Sequence, residues 1–208
     1  MSKPTILSQD GPFDEAVRAY RSGGTIAYPT ETFYGLGVDP FNPVAVERLF
    51  SLKGRAEDKP VALIIKDEGM LERVALVVPP DAKRLIRRFW PGPLTIILKA
   101  GPGIPPGLIG GTGKVGVRVS SNPVTERLLK ALNAPLTATS ANPAGKAPPR
   151  SPEEVISYFD GSIDVLIDGG RLKGRLASTV VDSTGVEVEI LREGEVPADK
   201  IMEALSSP

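Results

Sequence analysis

Short, nearly continuous apolar runs alternate along this chain with longer stretches whose apolar residues recur every three or four positions. The runs read as buried strands and the stretches as amphipathic helices. Gly11-Pro12 opens the helical stretch FDEAVRAYR, with Phe13, Val17 and Tyr20 on one face and Gly23 beyond its end. Thr25 to Tyr28 is a short buried strand that runs into Pro29 to Gly37, where hydroxyls sit among small residues. Asn42-Pro43 sets a capping side chain and a first-turn proline before VAVERLFSLK; Val46, Leu49 and Phe50 form its core stripe, and Gly54 ends it. Val61 to Ile65 reads as a strand buried on both faces. Pro79-Pro80-Asp81 starts the helix AKRLIRRFW, whose Arg84, Arg87 and Arg88 lie opposite Leu85, Ile86 and Phe89. That basic face reads as solvated, with contact to RNA or a partner as the other reading.

Leu94 to Leu98 and Val115 to Val119 are further strands, and Asn122-Pro123 repeats the cap-and-proline start before VTERLLKALN. Pro135 to Pro143 carries a strand into a polar turn, and Ser151-Pro152-Glu153-Glu154 is a capping box before VISYF. Asp164 to Ile167 and Ser178 to Val181 are strands flanking the loop DGGRLKGRLA; Val186 to Leu191 is the last strand, ending in Arg192-Glu193-Gly194. A short helix near Asp199 to Leu205 closes the chain. Strands and helices that alternate without a repeat or a linker predict one α/β domain over 1–208, with its core at about 11–195 and a short tail at 196–208.

Composition narrows the chemistry. The 208 residues have no Cys and no His, which removes disulfides, thiolate catalysis and the commonest general base and metal ligand. With 25 basic and 25 acidic residues the net charge is zero, so any polyanion site is local. Gly and Pro together make up about a fifth of the chain, spread among apolar segments as tight turns. No apolar run approaches the roughly 18 residues of a membrane span, and the opening MSKPTILSQDGPFDE lacks a signal-peptide layout. The cytoplasm is the expected compartment, and positioning with charge stabilisation the expected mode of catalysis.

The strongest local signal is Lys53-Gly54-Arg55-Ala56-Glu57-Asp58-Lys59-Pro60, where a helix exit delivers three cations into a turn. A lysine point charge and an arginine fork suit phosphate or carboxylate oxygens; a solvated basic loop at a helix C-terminus is the plainer reading. Thr32, Arg118, Ser178, Arg192 and the pair Ser140 and Asn142 also stand at or near predicted strand ends, where open α/β sheets bind ligands. Each has an ordinary structural reading as well: a turn hydroxyl, an edge arginine, a capped Asn-Pro turn. Residues 101–114, GPGIPPGLIGGTGK, fail the phosphate-loop spacing, with Leu108 in place of the first glycine and Val115 in place of Ser or Thr. They read as a mobile loop or lid. Many cations and hydroxyls without a proton-transfer dyad fit phosphoryl or nucleotidyl chemistry.

Taken together, GGTIAYPTETFYGLG, the Lys-x-Arg with its following Lys-Pro, FWPGPLTIIL, VGVRVSSNP, TSANPAG, STVVD and ILREG resemble the threonylcarbamoyl-AMP synthase family of transfer-RNA modification, in its short form without an extra C-terminal domain. The resemblance implies a YrdC-like fold: a twisted, mostly mixed open sheet with flanking helices and a basic concave cleft. It implies the formation of L-threonylcarbamoyl-AMP and pyrophosphate from L-threonine, bicarbonate and ATP with Mg²⁺. It implies downstream transferase proteins that deliver the group, and a weak contact to transfer RNA. By the same resemblance Lys53 and Arg55 are catalytic, facing the phosphates. Arg55, Lys59, Lys114, Ser140, Asn142, Pro148 and Arg192 would hold ATP, while Thr32, Arg118, Ala138 and Ser178 would hold threonine, and no side-chain metal site is implied. Some longer members carry His where this chain has Ile64. Two other readings stay open: an RNA-binding module using the same cleft, and an enzyme forming a carbamoyl adenylate from carbamoyl phosphate.

Overall fold

A computed structural model describes residues 3–54, 60–159 and 161–206. The chain runs β1 (Thr5–Ser8), α1 (Asp14–Arg21), β2 (Ile26–Tyr28), β3 (Gly35–Gly37), α2 (Pro43–Lys53), β4 (Ala62–Ile64), a 3-10 turn (Glu68–Arg73) and α3 (Pro80–Phe89). It continues β5 (Leu94–Lys99), a second 3-10 turn (Pro106–Ile109), β6 (Lys114–Arg118), α4 (Pro123–Leu132), β7 (Leu136–Ser140) and α5 (Pro152–Phe159). It ends with β8 (Val165–Asp168), β9 (Thr179–Asp182), β10 (Glu189–Arg192) and α6 (Ala198–Ser206). Among the described residues ten strands form one mixed sheet, ordered β1-β8-β2-β3-β7-β4-β6-β5-β9-β10. β4 and β6 run parallel near its middle, with antiparallel β7 and β5 on either side.

The caps read from the sequence hold the helices in place. The Asn42 side chain accepts from Val44 N and Ala45 N, and Asn122 does the same for Val124 N and Thr125 N. At the start of α5 the box is altered: Glu154 N donates to Ser151 Oγ, but the Glu154 carboxylate accepts from Arg150 N rather than from Ser151. Arg87 and Arg88 of α3 are exposed as expected, while Arg84 pairs with Asp81 at 2.9 Å.

Strand alternation divides the inside of the molecule. On one sheet face Leu63, Leu94, Ile96, Leu98, Val115 and Val117 join the main core, covered by α2, α3, α5 and α6 through residues such as Leu49, Leu85, Phe159 and Ile201. On the other face Ile26, Tyr28, Ile64 and Leu136 pack against Phe13 and Tyr20 at α1 and against Leu128 and Leu129 of α4. β4 thus lies between two cores, as its apolar run predicts. Where α1 and α4 stop, over β6, β5 and β9, this second face is the floor of a cavity.

Four details differ from expectation. β1 is a mostly exposed edge strand without alternation, so its pattern gives no signal, yet it pairs with β8 and carries the sheet back to residue 5. β3 is Gly-Leu-Gly, a composition depleted from strands, and a Cβ on Gly37 would fall 2.5 Å from Leu136 Cγ. The closeness of β7 therefore requires that glycine. The last strand begins at Glu189, not Val186, which is fully exposed. Residues 101–114 are no lid: Ile104, Leu108 and Ile109 are buried in the main core and Val61 N donates to Leu108 O at 2.9 Å. Their Gly and Pro serve tight turns around a buried anchor, and Thr112 and Lys114 at the segment's end line the cavity described below. No helix among the described residues is long and apolar enough to cross a membrane.

Candidate active site

The cavity encloses about 520 Å³, within the usual 300–1,000 Å³ or so of small-molecule sites. Its floor is the side of the strands left uncovered by helices. Along β6, Lys114, Gly116 and Arg118 face the cavity while Val115 and Val117 face the core. On β5 it is Thr95 and Ile97, and on β9 Val180 and Asp182. Thr30, Thr32, Phe33 and Tyr34 form one wall with Ala138, Thr139, Ser140 and Pro148; Ser178, Leu191 and Arg192 form the other.

Polar side chains in this space are held by named partners. Arg118 is 92% buried by its side chain (8% exposed), and its Nη1 lies 3.1 Å from Glu31 Oε1. Lys114 Nζ donates to Asp182 Oδ2 at 2.7 Å. The Arg192 guanidinium donates to Ser178 O at 2.8 and 3.2 Å, and the Ser178 hydroxyl lies 2.9 Å from that of Thr95. Thr32 Oγ1 is 2.9 Å from Thr30 Oγ1. The Tyr34 hydroxyl donates to Gly170 O at 2.8 Å and accepts from Gly169 N at 3.0 Å, which ties the wall to the loop after β8. Burial pushes that phenol up to about 12, so it stays neutral.

The charge pattern favours an anion. Burial, and then the positive charge of Arg118, pull the Arg192 guanidinium below its usual value. Two guanidiniums that disfavour one another across one cavity are relieved by a negative ligand between them. The cleft is not uniformly basic, because Glu31 and Asp182 offset Arg118 and Lys114. Among the described residues no cluster of carboxylates suits a metal ion.

The family model Sua5/YciO/YrdC, described as telomere recombination, matches residues 18–194. The chain belongs to this family. The threonylcarbamoyl-AMP synthase of Pyrococcus abyssi is 39% identical over 181 residues, covering 87% of this chain and 53% of that protein. The chain therefore spans about half the length of that relative. The threonylcarbamoyl-AMP synthase of Halorhodospira halophila is 42% identical over 159 residues, covering 76% of this chain and 83% of its own. The crystal structure of P. abyssi Sua5 complexed with L-threonine superposes with a TM-score of 0.91 at 34% identity, covering 99% of this chain and 61% of that one.

Within this Sua5/YciO/YrdC domain the cavity brings together Thr32, Lys114, Arg118, Ala138, Ser140, Pro148, Ser178 and Arg192, eight of the residues singled out from the sequence. Arg118 is no edge residue, since β6 lies between β4 and β5. Arg55 and Lys59 fall outside the described residues. Lys53 and Asn142 are close by but do not line the cavity. Lys53 is 4% exposed, not part of an open turn, and its Nζ donates to Ser140 O at 2.5 Å and Asn142 O at 2.7 Å. The Asn142 amide donates to Pro143 O and Lys146 O, bracing the turn after β7. Sequence reasoning missed Glu31 and Asp182; in each case a carboxylate inside a quoted motif, PTETFYGLG or STVVD, was the available signal.

Asp182 has a pH signature. Burial raises its carboxyl, but hydrogen bonds from Lys114 and Thr184 outweigh this and hold it below the usual aspartate range. A carboxyl lowered on folding stabilises the protein above its unfolded value and loses that contribution as pH falls through the folded value. The wild type should therefore lose melting temperature more steeply than Asp182→Asn below about pH 4. Parallel melting curves from pH 6 to pH 3 would remove this role.

Proposed function

We propose that the chain makes L-threonylcarbamoyl-AMP and pyrophosphate from L-threonine, bicarbonate and ATP, and supplies the product for threonylcarbamoyladenosine modification of transfer RNA. The carrying observation is that, in a chain 42% identical to a threonylcarbamoyl-AMP synthase over 159 residues, Arg118 and Arg192 face one cavity beside Thr32, Ser140 and Ser178. In this reading the threonine amine and bicarbonate condense to a carbamate with loss of water. A carbamate oxygen attacks the α-phosphorus of ATP, and pyrophosphate leaves. Both reactants are anions, so their approach depends on local cations.

Arg118 takes the threonine carboxylate, with Thr32, Ala138 and Ser178 around the amino acid. Lys114, Ser140, Pro148 and Arg192 line the nucleotide side. Arg55 and Lys59 meet the phosphates, on the strength of the Lys-x-Arg and Lys-Pro resemblance. Lys53 and Asn142 shape the turn after β7 from behind. Mg²⁺ typically combines one or two carboxylates with substrate phosphates and water. Among the described residues Asp182 is the one carboxylate that lines the cavity, and Lys114 pairs with it, so we assign Mg²⁺ to the triphosphate. There it would offset charge on the phosphates. A cytoplasmic setting, hand-over to transferase proteins and a weak contact to transfer RNA complete the proposal.

Incubation with labelled threonine, bicarbonate and Mg-ATP should yield pyrophosphate and an adenylate that carries threonine, read by mass spectrometry. Pyrophosphate release indifferent to threonine would reject this function. Formation of an adenylate from carbamoyl phosphate alone would replace it with the related carbamoyl-adenylate chemistry.

A further inference from the structure

Glu31 is a largely covered carboxylate paired with Arg118, yet it does not line the cavity. Its side chain is 15% exposed and lies behind Arg118. Its two oxygens have different tasks. Oε2 accepts from the Ser120 hydroxyl, whose oxygen in turn accepts from Asn122 N at 3.1 Å, and Asn122 caps α4. Oε1 lies 3.1 Å from Arg118 Nη1. Neither Oε1 nor Nη1 has an aligned hydrogen bond within the protein. The contact is therefore an ion pair by distance that leaves the Nη1 hydrogens uncommitted to Glu31.

We propose that Glu31 is a positioning residue for Arg118: anchored through Ser120 to the start of α4, its carboxylate fixes the guanidinium so that its donors are presented to the carboxylate of the amino-acid substrate. This rests on the threonine-dependent function proposed above. An arginine fork recognises a carboxylate only in a defined plane, and a long side chain on a strand can rotate away from it. The positive charge of Arg118 also weighs on Arg192, so a fixed negative partner lets two guanidiniums share one cavity.

Counter-charge alone and positioning have opposite consequences. If Glu31 served only to offset charge, removing its charge would make the cavity more positive and tighten anionic substrates. If it positions Arg118, removal costs threonine affinity while ATP is little affected. Glu31→Gln keeps the shape and removes the charge; Ser120→Ala leaves Glu31 in place and cuts its anchor. In steady-state kinetics on the full chain, Glu31→Gln should raise the KM for threonine on the order of 10-fold. The KM for ATP and kcat at saturating threonine should stay near wild type. Ser120→Ala should move the threonine KM in the same direction by a smaller factor, and the rise in the double variant should fall short of the product of the two single factors.

An unchanged or lowered threonine KM in Glu31→Gln, or equal losses for threonine and ATP, would overturn the proposal. Should Glu31→Gln fail to fold, Ser120→Ala decides by the same two criteria. A wild type that makes no threonine-dependent product would instead reject the function, independently of how Arg118 is held.

Discussion

Replacing Lys53 by alanine should lower both turnover and melting temperature. The Lys53 ammonium is buried and donates to the carbonyls of Ser140 and Asn142, joining the end of α2 to the turn that leaves β7. Hydrogen bonds to a charged group contribute roughly 1.5–3 kcal/mol each, and a buried carbonyl left without its donor carries a desolvation cost. Two such bonds sharing one donor are not additive, so a loss of about 2–4 kcal/mol is expected. For a domain of this size that is a fall in melting temperature of roughly 5–15 °C. Turnover should drop as well, because the Ser140 side of the cavity stands on the same turn. Lys53→Met, which keeps most of the aliphatic stem, should recover part of the melting temperature and little of the turnover. A lost turnover with unchanged melting would instead make Lys53 a direct substrate ligand.

The second large effect is expected at Arg118. Arg118→Lys keeps a positive charge beside Glu31 but replaces a planar fork with a point donor. The loss of two-pronged carboxylate binding corresponds to about 1.5–3 kcal/mol, a rise of roughly 10- to 150-fold in the KM for threonine. ATP affinity, measured by calorimetry, should move little, since Lys114 and Arg192 remain. Equal weakening of both ligands would place Arg118 on the phosphates, and no effect on either would leave it to its ion pair with Glu31 alone. The substitution is informative because the backbone of β6 is held on both sides, by β4 and β5, so the side-chain chemistry changes without moving the strand.

Much of this protein was readable one residue at a time. Asn42-Pro43 and Asn122-Pro123 announced two helices, because an N-cap and a first-turn proline are local chemistry that needs no partner elsewhere in the chain. The apolar runs at 61–65, 94–98 and 115–119 marked strands in the middle of the sheet, and the single arginine among valines at 118 already set a charge on the face opposite the core. The motif set was legible for the same reason: it is a list of residue types in order.

What the linear order does not carry is which groups meet. The edge strand β1 is paired by β8, and the Gly-Leu-Gly strand β3 by β2 and β7; neither has a pattern of its own. Residues 101–114 have the composition of a free loop, yet Leu108 and Ile109 find a core that forms from distant strands. Lys53 reads as an exposed cation at an open helix exit until the carbonyls of residues 140 and 142 arrive to bury it. Glu31 and Asp182 are ordinary acids in sequence; Arg118, 87 positions away from one, and Lys114, 68 away from the other, make them partners. Local propensity and periodicity act over a few residues and are written in the chain. Burial and ion pairing depend on what the closed sheet brings within a few ångströms, and only the tertiary structure decides that.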